Sequence, residues 1–88
     1  MKASSDENFQ NNMLEQLYDA YEYKMHGIAY SILNNKGQAE DAVQDAFLKL
    51  IPHLGDINSV ASVETKRSIT YIIKNISIDI YRRHRKES

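Results

Sequence analysis

The chain has no cysteine, no tryptophan, a single proline (Pro52) and three glycines in 88 residues. Without cysteine there is no disulfide framework, no thiolate metal site and no cysteine nucleophile. So few prolines and glycines argue against an all-β chain, which needs tight turns between its strands. No apolar run approaches the roughly 18 residues of a membrane span. The start, Met1-Lys2-Ala3-Ser4-Ser5-Asp6-Glu7-Asn8, has no apolar stretch after its charge, so no secretory signal is expected. A reducing, cytoplasmic setting without membrane insertion is the expectation. A disordered chain is excluded too, because 42% of residues are hydrophobic and the formal net charge is only −1. The length allows one domain with a thin core. Residues 1–8 are expected to form a disordered N-terminal tail ahead of a domain over 9–88.

The small net charge conceals a polarity. Residues 1–45 hold three Lys, no Arg and eight acids, 3 − 8 = −5. Residues 46–88 hold four Lys, four Arg and four acids, 8 − 4 = +4. The densest cationic stretch is Arg82-Arg83-His84-Arg85-Lys86. A chain polarised in this way can meet a basic partner at one end and an acidic one at the other. A merely solvated surface with segregated charge accounts for the counts equally well.

Apolar spacing then sets the elements. Leu14, Leu17, Tyr18, Tyr21, Met25, Ile28 and Ile32 recur at steps of three and four, the stripe of a helix from about Phe9 to Leu33. Gly27 lies inside it, so a close approach of another backbone is expected there. Asn34-Asn35-Lys36-Gly37 reads as the turn that ends the helix. Ala39, Ala42, Val43, Ala46, Phe47, Leu50, Ile51 and Leu54 mark a second helix, with Glu40, Asp41 and Asp45 near its start to complement the dipole. Pro52 is expected to kink or stop it near its end, and Gly55 to provide the exit into a small-residue loop to about Val63.

The last stretch carries two periods at once. Ile76-Ser77-Ile78-Asp79-Ile80 alternates like a strand, while Ile69, Ile72, Ile73, Ile76 and Ile80 follow the helical rule. A lone strand has nothing to pair with in a helical chain, so a helix from about Glu64 to Arg83 is predicted, with Ser62 as its N-cap. The fold expected is all-α, a small bundle of three or four helices. Its core is expected to contain Leu17, Tyr21, Ile28, Ile32, Val43, Phe47, Leu50, Ile69, Ile73, Ile76 and Ile80.

Two surfaces carry candidate chemistry. On the second helix, Asp41, Gln44, Asp45 and Leu48 project opposite the apolar face, an acidic strip with one apolar residue. It reads either as an ordinary solvated face or as a dock for a basic helix or groove. On the third helix, Arg67, Thr70, Tyr71, Lys74, Asn75 and Ser77 lie off the isoleucine stripe, followed by Tyr81 and the Arg/Lys cluster. Cations, tyrosines and an amide are suited to phosphates, stacked bases and base edges. They also suit a cationic helix end with half-buried tyrosines. The histidines His26, His53 and His84 share no ligand spacing, and there is no glycine-rich phosphate loop. No enzyme, cofactor, metal or small-molecule substrate is expected.

Two motifs add a resemblance. The run Ala39-Glu40-Asp41-Ala42-Val43-Gln44-Asp45-Ala46-Phe47-Leu48-Lys49 resembles the A-E-D-x-V-Q-[DE]-x-F-[LI]-[KR] signature in region 2 of extracytoplasmic-function sigma factors. Downstream, Ile72-Ile73-Lys74-Asn75-Ile76-Ser77-Ile78-Asp79-Ile80-Tyr81-Arg82-Arg83 is similar to that family's I-x-[RK]-N-x-x-I-D-x-x-R-[RK] helix. Leu17-Tyr18-Asp19-Ala20-Tyr21 through Leu33 looks like its first helix, and the likeness covers about residues 14–86. It implies a bacterial, cytoplasmic transcription-initiation domain. Asp41, Gln44, Asp45 and Leu48 would then meet the clamp helices of the β′ subunit of core RNA polymerase. Arg67, Tyr71, Lys74 and Asn75, with Asn58, Ser59 and Ser62 of the loop, would read and help melt the −10 element on the non-template strand of promoter DNA. Arg82, Arg83, Arg85 and Lys86, in a flexible tail, would hold DNA phosphates, and an anti-sigma factor is an implied further partner. Two departures stand out. Many members carry a tryptophan early in the last helix, where this chain has Arg67-Ser68-Ile69. Complete members also continue into a second helical domain, region 4, whereas this chain stops at Ser88, so the N-terminal domain alone is expected. Without the resemblance, a helical protein-interaction module with acidic and basic faces and no DNA binding fits the same residues.

Overall fold

Two asparagines make the first corner of the fold. In the computed structural model, which describes residues 2–87 and the side chains of residues 12–85, helix α1 runs Lys2–Leu33. Asn34 adopts the left-handed region (φ 52°), and its N–H bonds the Tyr30 carbonyl at 2.8 Å. An asparagine tolerates that conformation better than most residues, which stops the helix in one step. Asn35 returns to extended backbone (φ −146°, ψ 120°), and its side-chain oxygen accepts from the Gln38 N–H at 2.9 Å. Helix α2, Lys36–Leu50, therefore starts immediately. The turn is Asn34-Asn35 alone, and Lys36 and Gly37 belong to the helix it was expected to precede. This places Glu40, Asp41 and Asp45 beyond the first turn of α2, where the dipole has largely faded.

Pro52 sits at the start of a 3₁₀ segment, Ile51–Asp56, where its missing N–H costs no helical bond. That tighter turn carries Leu54 into the core. Ser62 then caps α3, Val63–Glu87, as its hydroxyl accepts the Thr65 N–H at 3.1 Å. The cap is doubled: Ser62 Oγ donates to Thr65 Oγ1 at 2.9 Å, and Thr65 Oγ1 donates to the Ser59 carbonyl at 2.6 Å. The loop between these elements is tied down by the Tyr21 hydroxyl, which donates to the Val60 carbonyl.

The three helices pack against one another around one core, and no strand occurs among the described residues. The Ile-rich segment is helix. Ile69, Ile73, Ile76 and Ile80 are all buried, which the helical period achieves and the alternating one does not. Across the core, Met25, Ala29 and Leu33 of α1 are buried where Ile28 and Ile32 were expected, and those isoleucines pack at its edge. The buried stripe of α1 thus includes the small Ala29, and Ala42 and Ala46 of α2 are buried as well. At about 1.5 Å per residue, α1 spans roughly 48 Å and sets the longest dimension, 52 Å.

Three further expectations are corrected. The first helix begins at Lys2 and not near Phe9. No proline or glycine occurs between Lys2 and His26 to interrupt it. The last helix extends through Glu87, so Arg82, Arg83 and Arg85 stand on helical backbone and not in a flexible tail. Gly27 meets no close backbone: an added Cβ there finds no atom within 4 Å. The glycine faces open solvent.

Candidate functional site

The acidic strip of α2 stands on the face opposite the buried Ala39, Val43, Ala46, Phe47 and Leu50. Asp41, Gln44, Asp45 and Leu48 are all exposed, and Leu48, 63% exposed, sits at the crest. Beneath it Phe47 holds α2 to α1 through the Tyr18 ring, with centroids 5.0 Å apart and planes 40° apart. Tyr18 in turn donates a hydrogen bond to Glu22, and that bond, with burial and the nearby carboxylates, raises its phenol above the usual value of 10.0. The two aspartates stand on the side of that strip nearer α3. Both rim the groove toward α3, beside Arg83. A separate groove of about 330 Å³ between α2 and α3 brings Asp45 and Lys49 near Tyr71, Asn75 and Arg83.

The outward side of α3 is a cationic ridge. Arg67, Tyr71, Lys74, Ile78, Arg82 and Arg85 recur at steps of four, three, four, four and three, and all are exposed. The ridge runs for about 27 Å at 1.5 Å per residue. It carries no acid along its crest, and Ile78, 37% exposed, adds an apolar contact in its middle. Neither Ile78 nor the full ridge was picked out from the sequence. The spacing was visible there, but only to a reading that carried the helix past Arg83. Arg83 itself leaves the ridge: its guanidinium pairs with Asp79 at 3.1 Å, and the residue lines a groove with the α2 aspartates. An exposed pair of this kind contributes about 0–1 kcal/mol. The side chain of Lys86 lies outside the described residues.

Tyr71, 71% exposed, lines three grooves that meet over α3. One is the α2–α3 groove with Asn75. Another, of about 570 Å³, runs between the 3₁₀ segment and α3 and brings Asn58 and Ser62 together with the apolar Leu50, Ile57 and Ile72. It also carries the carboxylates of Asp56 and Glu64. The third lies between α1 and α3 and holds Arg67 and Lys74. The structure thus gathers Arg67, Tyr71, Lys74, Asn75, Asn58 and Ser62 around one aromatic ring. Ser59 is exposed, with its carbonyl held by Thr65, and the Ser62 hydroxyl is engaged in the helix cap. That cap leaves Asn58 as the loop side chain best placed to meet a ligand. Ser77, grouped with the surface set by sequence, is fully buried, and its hydroxyl has no hydrogen-bond partner.

Among the described residues no group of three His, Cys, Asp or Glu could hold a metal ion, and no helix is long and apolar enough to cross a membrane. His53 approaches Asp56 at 3.8 Å with both side chains exposed, a surface contact. What the surfaces offer is recognition: an acidic strip with an apolar crest on one helix, and a cationic, aromatic ridge flanked by grooves on the next.

The family model of sigma-70 region 2 matches residues 17–87, which takes in both motif helices and the corner between α1 and α2. The chain belongs to the sigma-70 region 2 family. No curated protein and no solved structure matches it. Region 2 membership makes transcription initiation its process, with core RNA polymerase and promoter DNA as partners. The three-helix bundle is the fold that sets these surfaces apart, since α2 and α3 pack side by side and turn their remaining faces outward.

Proposed function

We propose that this region 2 domain binds the β′ clamp helices of core RNA polymerase through α2 and carries the non-template strand of the −10 element across α3, with no catalysis of its own. The observation that supports the reading best is the position of Tyr71 where three grooves of different character meet. Phosphates repel carboxylates, so a strand keeps its backbone on the Arg67 and Lys74 side of the ring. A base stacked on Tyr71, a contact of about 1–3 kcal/mol, then turns toward the groove lined by Asn58, Ile57 and Ile72. Carboxylates are acceptable in that groove, because Asp56 and Glu64 can accept hydrogen bonds from exocyclic base amines. Unpairing a base costs a few kcal/mol, and stacking together with base-edge contacts offsets it. Asn75, across Tyr71, supplies a paired donor and acceptor for a second base edge. On α2, Leu48 acts as the apolar anchor and Asp41, Gln44 and Asp45 complement a basic helix pair. The same proposal includes membership of the extracytoplasmic-function group, a bacterial cytoplasmic setting and an anti-sigma factor as further partner.

Two measurements on the chain decide between this reading and a pure protein-interaction module. The chain should retain core polymerase in a pull-down, and it should bind single-stranded DNA with an affinity that falls steeply with salt, because phosphate contacts release counterions. Polymerase capture without any strand binding would favour the interaction module. Loss of both would overturn the proposal.

A further inference from the structure

Lys24 lies on α1, a helix that otherwise provides scaffold. It is exposed and lines a groove of about 480 Å³ together with Lys66, Arg67 and Lys74 of α3. Thr70 and Tyr71 complete the polar part of that wall. No carboxylate lines this groove, whereas Asp45 and Asp79 line the α2–α3 groove and Asp56 and Glu64 the groove beside the 3₁₀ segment. Four cations from two helices repel one another, and a polyanion laid between them turns that repulsion into attraction. The groove also shares Tyr71 with the two others, so a strand stacked on that ring passes directly into it.

We infer that Lys24, with Lys66, Arg67 and Lys74, forms a phosphate track for single-stranded nucleic acid, which makes α1 part of the strand-binding surface. The inference rests on the strand-binding reading above and adds a contact from outside both sequence motifs. Lys24 touches backbone only, so its effect is independent of base sequence. Lys66 lies one turn before Thr70 and extends the track toward the start of α3.

The test measures binding of a fluorescent oligothymidylate to the full chain across a range of salt concentrations. Lys24→Ala should reduce the slope of log affinity against log salt by about 0.7, the value of one phosphate contact on a single strand. Lys24→Glu should reduce it by about twice as much, and Lys36→Ala, on the exposed first turn of α2, should leave it unchanged. Circular dichroism confirms that each variant is folded. Lys24→Ala indistinguishable from Lys36→Ala overturns the inference. So does polyglutamate competing as well as the oligonucleotide, which would make the groove a general polyanion surface. If Tyr71→Ala abolishes binding while Lys24→Ala does nothing, only the inference falls. If the unmodified chain binds no strand, the underlying reading falls with it.

Discussion

The outward faces of α2 and α3 are made from one bundle, yet they are different kinds of surface. The α2 face is a single helix crest: Leu48 stands at its top with Asp41, Gln44 and Asp45 around it. Its four side chains all come from α2, although Asp41 and Asp45 also rim grooves shared with α3, and a rigid partner with a basic groove suits such a crest. The α3 face is a ridge between grooves, and α1, α2 and the 3₁₀ segment each supply a wall. A flexible strand that can bend from one groove into the next suits that shape.

Removing the support common to both faces should have the largest effect. Phe47 is buried between α2 and the Tyr18 ring, so Phe47→Ala should cost roughly 3–5 kcal/mol. A domain this small holds only a few kcal/mol in reserve. Circular dichroism should show lost helicity, and polymerase and strand binding should vanish together.

The next two changes should separate the faces. Asp41→Lys with Asp45→Lys should abolish polymerase capture and spare strand binding, while Arg82→Glu with Arg85→Glu should do the reverse. Both aspartates rim the groove that holds Arg83, so the reversal also adds repulsion there. Leu48→Ala is the cleaner companion, and a pull-down with the folded variant should still show weakened capture. A single variant that loses both activities while staying folded would break the comparison. Asn75→Ala refines the α3 side: it should cost roughly 1–3 kcal/mol on the preferred strand and much less on a scrambled one. Equal losses on the two strands would remove Asn75 as a base reader.

Two small effects serve as controls beneath and behind the faces. Gly27→Ala fills open space on an exposed helix position, so it should stabilise by up to about 1 kcal/mol and leave both bindings alone. Ser77→Ala removes a buried hydroxyl that has no partner, so thermal unfolding should move little or slightly upward. A large loss of stability in Ser77→Ala would mean the hydroxyl is satisfied after all.

The helices, their order and most of the core were legible in the chain because burial imposes its period on the residues themselves. Leu17, Tyr21, Met25 and the Ile69-Ile73-Ile76-Ile80 series carry that period openly, and Ser62 carries the cap chemistry in its side chain. The α2 strip was equally legible, since one helix projected at its own pitch contains all of it. Where α1 starts was not, because the absence of a breaker fixes no start. Nor could the chain alone show that Arg83 turns toward the α2 aspartates, that Ser77 points into the core, or that Gly27 meets only solvent. Those outcomes depend on how far each helix is rotated against its neighbours, which is set by the packing of the whole core and not by any local preference. The meeting of Lys24 with Lys66, Arg67 and Lys74 is of the same kind. Residues far apart in sequence come to share a groove only when two helices pack, and no spacing along one chain encodes that distance.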